Sequence, residues 1–160
     1  VVRSGFRGIK LWVSLNCRSR KLDPILSRAV ELDVPVLQHA WHNVLGKDSP
    51  GEPEAADVAD LARRFPQARI IMAHLAGVGV QGICDVVPLA NVWIDTAGAQ
   101  PIAGLVEEAV ARLGAGRVVY GSDLPMRDFS SQLGRVYGAN LSARDLRLVL
   151  SGNARRLLRI

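Results

Sequence analysis

Five times along this chain a short apolar run is followed by a longer amphipathic stretch, and this alternation limits the fold more than anything else in the sequence. The runs occupy residues 8–13, 34–38, 69–73, 91–95 and 117–121. Each has the length and the Val/Ile content of a buried strand, and helical sequence follows each one. Strand-then-helix order kept up over a whole chain calls for a parallel sheet covered by helices. Three of the runs lead into a residue that can bind a metal or move a proton. Pro35-Val36-Leu37-Gln38 ends in His39, Arg69-Ile70-Ile71-Met72-Ala73 in His74, and Val118-Val119-Tyr120-Gly121-Ser122 in Asp123. In parallel α/β barrels chemistry sits where strands end and βα loops begin. Two His and an Asp at equivalent ends therefore suggest an enzyme site.

The helices have start and stop signals of their own. Asp23 is expected to cap a helix with Pro24 at its first position, running to Glu31. Pro53 opens the next, over 54–65, with Ala55, Val58, Leu61 and Ala62 at helical spacing. The pattern is weaker over 79–89. Pro101 starts a helix over 102–113, which Gly114 and Gly116 end. Three short pieces follow at 130–137, 142–150 and 153–158, with Ser142 and Asp145 at capping-box spacing. Residues 41–52 are rich in Gly, Pro, Ser and Asp and read as a loop. No linker or low-complexity segment interrupts the chain, so one domain over 1–160 is expected.

A complete eightfold barrel takes roughly 250 residues, of which five units are about 156. The chain has 160 and opens on Val1, already close to a strand. The expected fold is α/β, the C-terminal five βα units of a (β/α)8 TIM barrel, with the N-terminal units lying outside this sequence. No apolar run approaches the ~20 residues of a membrane span, and no signal-peptide pattern is present. A soluble, cytoplasmic protein without a membrane partner is the expectation.

The net charge is +5, and three Lys among 20 basic residues leave 17 Arg. The Arg are scattered over expected helices, as on solvated faces. Aromatics, at 5%, do not interleave with them, so a nucleic-acid partner is not expected. Cys17 and Cys84 lack metal-ligand spacing and are expected reduced. Cys84, in an apolar helical stretch, is expected in the core.

Imidazole and carboxylate together suit zinc or a similar divalent ion. His39, His74 and Asp123 are far apart in sequence, and only their shared strand-end positions single them out. His42 belongs to the loop after His39, as a substrate contact or an exposed loop residue. Lys10 is expected as a charged residue at the barrel mouth or in a salt bridge, rather than as a metal-bridging carbamylated Lys. Asp95 either holds a His tautomer or caps the next turn. Gly77 and Gly79 lack the rest of a phosphate loop and are expected to give backbone freedom at a βα turn.

In order, Gly8-Ile9-Lys10-Leu11, the run into His39, the run into His74, Val92-Trp93-Ile94-Asp95-Thr96-Ala97-Gly98, Gly121-Ser122-Asp123-Leu124-Pro125 and Gly152-Asn153-Ala154-Arg155-Arg156-Leu157-Leu158 resemble the amidohydrolase superfamily. The likeness is to its amidohydrolase-related branch of metal-dependent TIM-barrel hydrolases and decarboxylases. It covers nearly the whole chain, and the last two segments are its most specific parts.

The resemblance implies that His39 ends strand five as a metal ligand. It implies that His74 ends strand six and orients or protonates at the metal-bound water. Asp123 would end strand eight as a metal-bound carboxylate that takes the proton from water, and Asn153 would belong to a structural closing element. The implied cofactor is a divalent metal ion, most simply Zn, and the implied partner a small-molecule substrate. That substrate would be a carboxylate, amide, ester or lactone, hydrolysed or non-oxidatively decarboxylated. Trp41, His42 and Arg127 are the candidate substrate contacts, Arg127 for a carboxylate.

The family's His-x-His pair is absent from these residues and is expected N-terminal to them. Two other readings stay open. One is an inactive barrel remnant that acts at most by binding, with a homodimer joined through exposed strand edges. The other is a metal-free, phosphate-binding barrel enzyme.

Overall fold

The computed structural model describes residues 4–42, 50–99 and 102–160. Most of the expected loop over 41–52, and Pro101 as a helix start, lie outside the described residues. Five parallel strands form one sheet in chain order: β1 (Ile9–Leu11), β2 (Val36–Gln38), β3 (Ile70–Met72), β4 (Val92–Asp95) and β5 (Val118–Val119). Between them run α1 (Asp23–Glu31), α2 (Ala55–Arg64), α3 (Leu75–Val86) and α4 (Leu105–Leu113), and after β5 come α5 (Phe129–Tyr137), α6 (Ala143–Arg147) and α7 (Asn153–Leu158). The expected α/β architecture holds: this is the wall of a TIM barrel over five of its eight units.

Register separates the two faces of the sheet. Val36, Ile70 and Val92 lie opposite one another, as do Gln38, Met72 and Ile94. All six are fully buried beneath the helices, with Leu26, Val58, Leu61 and Ile83 among the residues covering them. Lys10, Leu37 and Ile71 are likewise in register, but on the opposite face. With Asp95, Val119 and Tyr120 they line a groove of about 390 Å³. In a closed barrel that face is the interior.

Several element ends differ from expectation for local reasons. Asp23 is the first residue of α1 rather than its cap, and its carboxylate accepts from Arg64 Nε at 3.0 Å. Glu54 caps α2 in a reciprocal box with Asp57. Leaving strand β3, His74 is left-handed (φ 75°) and launches α3 at once, while Gly79 (φ 62°) kinks it. Sequence periodicity registers only the part beyond the kink. Gly104, also left-handed (φ 76°), delays α4 to Leu105.

Cys84 is exposed, contrary to expectation, whereas Cys17 is buried. The buried positions of α3 near it are Gly82, Ile83 and Val86. Cys84 falls between them on the outer side of the turn, its Sγ 3.6 Å from an Arg112 nitrogen on α4. An apolar environment in sequence is therefore not burial when the helical phase points outward.

The two pieces expected at 142–150 and 153–158 are joined. Ser142 caps α6 by accepting from Asp145 N at 3.1 Å, and a π turn over Leu148–Gly152 carries the helix directly into α7. Such a turn shifts backbone carbonyls out of the regular ladder, and here the Val149 carbonyl accepts the Tyr120 N–H at 2.8 Å. Asn153 follows, 1% exposed, its Nδ2 donating to the Ala115 and Val118 carbonyls at 2.7 and 2.8 Å. Replacing Asn153 with Leu strands both carbonyls, each at about 1–3 kcal/mol. We expect a loss of about 2–5 kcal/mol in urea unfolding. A variant with the parent's midpoint would show that this amide does not tie the helix to the sheet.

Candidate active site

His39 continues β2 by one residue, its N–H donating to the Leu11 carbonyl at 3.0 Å. Its side chain is 9% exposed. Nε2 lies 2.8 Å from Glu52 Oε1 on the segment leading into α2. Nδ1 is buried without a hydrogen-bond partner.

His74 owes its left-handed backbone to Asp95, whose Oδ1 accepts the His74 N–H at 2.8 Å and the Ala97 N–H at 3.1 Å. Asp95 thus caps the turn and holds the backbone of His74, not its ring. The ring's Nδ1 is 3.3 Å from the Ala40 carbonyl. A carbonyl only accepts, so Nδ1 carries the proton in that bond. The His74 and His39 rings meet edge-on with centroids 4.7 Å apart.

Asp123 is also left-handed (φ 58°), a conformation uncommon outside Gly, Asn and Asp and frequent at functional sites. The chain leading to it is pinned to β4. Thr96 N donates to Val119 O at 2.9 Å, and Gly121 N donates to Thr96 Oγ1 at 3.1 Å. Asp123 Oδ1 stands 3.5 Å from His74 Nε2. His39, His74 and Asp123, 84 positions apart from first to last, thus meet at one end of the sheet.

The other candidates divide. Trp41 packs edge-on to His74 at 5.7 Å. Its ring occupies the space a Cβ on Gly77 would need, 2.4 Å away. Gly77 is thus a seat for Trp41, and only Gly79 uses the backbone freedom expected of both. Arg127 places Nε 3.9 Å from Asp123 Oδ2. His42 is exposed and lines a separate cleft of about 220 Å³ with Glu54, Val78 and Gln81. Lys10 stands on the groove face of β1. Burial lowers its pKa, and Asp95 and Asp123 oppose that shift. Glu52 was not among the residues singled out from sequence, because its pairing with His39 depends on a loop folding back.

Burial sets the charge states. It drives the His74 pKa down to about 4, helped by the nearby His39 and Lys10, with Asp123 and the Ala40 carbonyl opposing. Burial also lowers His39, against the Glu52 hydrogen bond. Asp95 is pushed up to about 6 by burial, against its two N–H donors. At neutral pH His74 is therefore neutral. With its proton on Nδ1, its Nε2 lone pair faces the Asp123 carboxylate.

These shifts predict an acid-stability difference. His74 titrates at about 4 when folded against an ordinary 6.5. As pH falls the unfolded chain takes that proton first, so about 3 kcal/mol of stability is lost between those values. Asp95 titrates at about 6 folded against an ordinary 3.8. The folded chain takes this proton first, returning about 3 kcal/mol over nearly the same window. Asp95→Asn keeps the acceptor oxygen but removes the offset. Urea unfolding from pH 6.5 down to 4 should therefore fall more steeply in the variant by about 3 kcal/mol. Parallel curves for parent and variant would contradict the assignment.

The donor chemistry fits a divalent ion in part. His39 offers a buried nitrogen with no partner, and Asp123 a carboxylate against the neighbouring His74. Among the described residues no group of three or more His, Cys, Asp or Glu side chains is gathered to hold a metal. A catalytic zinc takes about three protein ligands. No helix among the described residues is long and apolar enough to cross a membrane.

Comparison with known proteins agrees with this architecture. The family model described as Amidohydrolase matches residues 1–160. Comparison with curated proteins yields no match. Among solved structures, an uncharacterized TIM-barrel protein from Bordetella bronchiseptica superposes with a TM-score of 0.79 at 18% identity, over 99% of this chain and 59% of its own. A putative 2-pyrone-4,6-dicarboxylic acid hydrolase from Pseudomonas putida gives 0.73 at 22% identity, over 99% and 65%. A dihydroxybenzoic acid decarboxylase from Polaromonas, solved with bound manganese and the inhibitor 2-nitroresorcinol, gives 0.65 at 17%, over 91% and 55%. The chain thus spans about three-fifths of the length of these solved proteins.

Proposed function

The chain belongs to the amidohydrolase family, and from that premise we propose that it carries the His39, His74 and Asp123 part of a metal-dependent active site. The reaction is hydrolysis or non-oxidative decarboxylation of a small carboxylate, amide, ester or lactone. The observation that carries this reading is the pair of acceptors, His74 Nε2 and Asp123 Oδ1, 3.5 Å apart at the strand ends. Two acceptors this close both face the space beside them, where a reacting water can donate to either one.

His39 and Asp123 would hold the ion, which on this mixed imidazole–carboxylate chemistry is zinc, with manganese the alternative from the Polaromonas enzyme. Its remaining ligands would come from outside these 160 residues. When bound, such an ion brings the pKa of its water toward ~7. Asp123 accepts the proton. His74, neutral and oriented through Nδ1 by the Ala40 carbonyl, receives or returns a proton at Nε2. Trp41 gives the site a flat apolar wall. Arg127, beside Asp123, fits a substrate carboxylate, and the Pseudomonas and Polaromonas proteins are named for carboxylic acids. His42 reaches substrate only at the outer rim.

The test uses the protein at its natural full length. Elemental analysis measures bound metal, and aromatic carboxylates and pyrone lactones are assayed separately for CO2 release and for proton release at constant pH. Bound metal with one of these signals is the expected result. A metal-loaded protein giving neither would favour the inactive, binding-only reading.

A further inference from the structure

We infer that Glu52 is the positioning residue for His39: it holds the imidazole in the tautomer that leaves Nδ1 as the metal-binding atom. The inference rests on the reading of His39 as a ligand and deepens it. Glu52 Oε1 and His39 Nε2 are 2.8 Å apart, and both side chains are about nine-tenths buried. An ionised carboxylate only accepts, so Nε2 carries the proton and donates it to Glu52. The ring's lone pair is then on Nδ1, the atom left buried and unpartnered. A carboxylate behind a ligating imidazole fixes its orientation and raises its basicity.

The segment carrying Glu52 is built to deliver it there. Gly51 packs so closely on the loop after β1 that a Cβ would stand 2.2 Å from the Val13 carbonyl oxygen. Asn16 Nδ2 donates to the Glu52 carbonyl at 3.5 Å and to Asp57 Oδ2 at 3.0 Å. Trp41 N donates to the Pro53 carbonyl at 3.0 Å. Three consecutive residues are thus held by neighbours on either side of the site. The same clamp couples Trp41, which touches His74, to the segment that sets His39.

The test reads the tautomer directly. Long-range 1H–15N correlation of 15N-His-labelled full-length protein, with His39 assigned through His39→Asn, should show a protonated Nε2 and a bare Nδ1. Glu52→Gln keeps an acceptor oxygen and should keep that tautomer. Glu52→Leu should lose it, with Zn2+ affinity lowered about 10–100-fold in a chelator competition. A parent protein with the proton on Nδ1, or a Glu52→Leu protein with tautomer and Zn2+ affinity unchanged, overturns the inference. If Glu52→Leu does not fold, the tautomer of the parent and of Glu52→Gln decides. A parent that binds no Zn2+ overturns the metal reading and this inference with it. Binding by the parent with the wrong tautomer overturns this inference alone.

Discussion

Asp123→Asn is expected to lower turnover by about 10²–10⁴-fold, the range for losing a positioned proton acceptor, with the fold unchanged. Asn has nearly the same shape and tolerates the left-handed backbone that Asp123 adopts (φ 58°). The Asp123 side chain is 27% exposed, so no core packing is lost. The thread that places it, from Thr96 to Val119 and Gly121, uses backbone and hydroxyl groups that the substitution leaves alone. The loss is therefore of charge and basicity opposite His74. Turnover should be compared at equal metal occupancy, with circular dichroism as the control for folding. If activity stays within about tenfold of the parent's under those conditions, Asp123 does not take the proton.

The largest packing effect on stability is expected at Ile70. It is fully buried and paired on both sides, with Val36 and with Val92. Truncation to Ala removes three carbons from the middle of the covered face and leaves a cavity that flanking strands cannot collapse into without losing register. The cost should be about 2–5 kcal/mol, read from urea unfolding midpoints. A cost below about 1 kcal/mol would mean that this face is not the packed one and that the register is wrong.

Strand positions were readable in the sequence because each run is short, apolar and followed by a helix signal. His39, His74 and Asp123 were readable as the residues that end such runs. Their meeting was not, because 35 residues separate the first two and 49 the last two, and only the parallel sheet brings them together. The role of Asp95 stayed open in the sequence. Whether a strand-end carboxylate holds a ring or a backbone N–H depends on the left-handed turn at His74, which sequence pattern does not encode. Glu52 was missed because it belongs to neither a strand nor a helix. The Gly51 beside it carried a faint signal, a residue without a side chain where two loops touch. Cys84 was misplaced because an apolar stretch does not fix which way each helical position faces, and Cys84 faces away from the buried Gly82, Ile83 and Val86.

In this sheet spatial order and chain order coincide, from β1 to β5. Each of β2 to β5 therefore finds a partner one βα unit back. These parallel pairings must each still close a whole βα unit, which is slower than forming a hairpin, but they can form one after another in chain order. On the ribosome, β2 can dock on β1 while β4 is still being made. The three polar residues would then arrive one by one at a rim already laid down. The site would be completed last, when Asp123 emerges behind β5 and closes on a His74 already set in its turn.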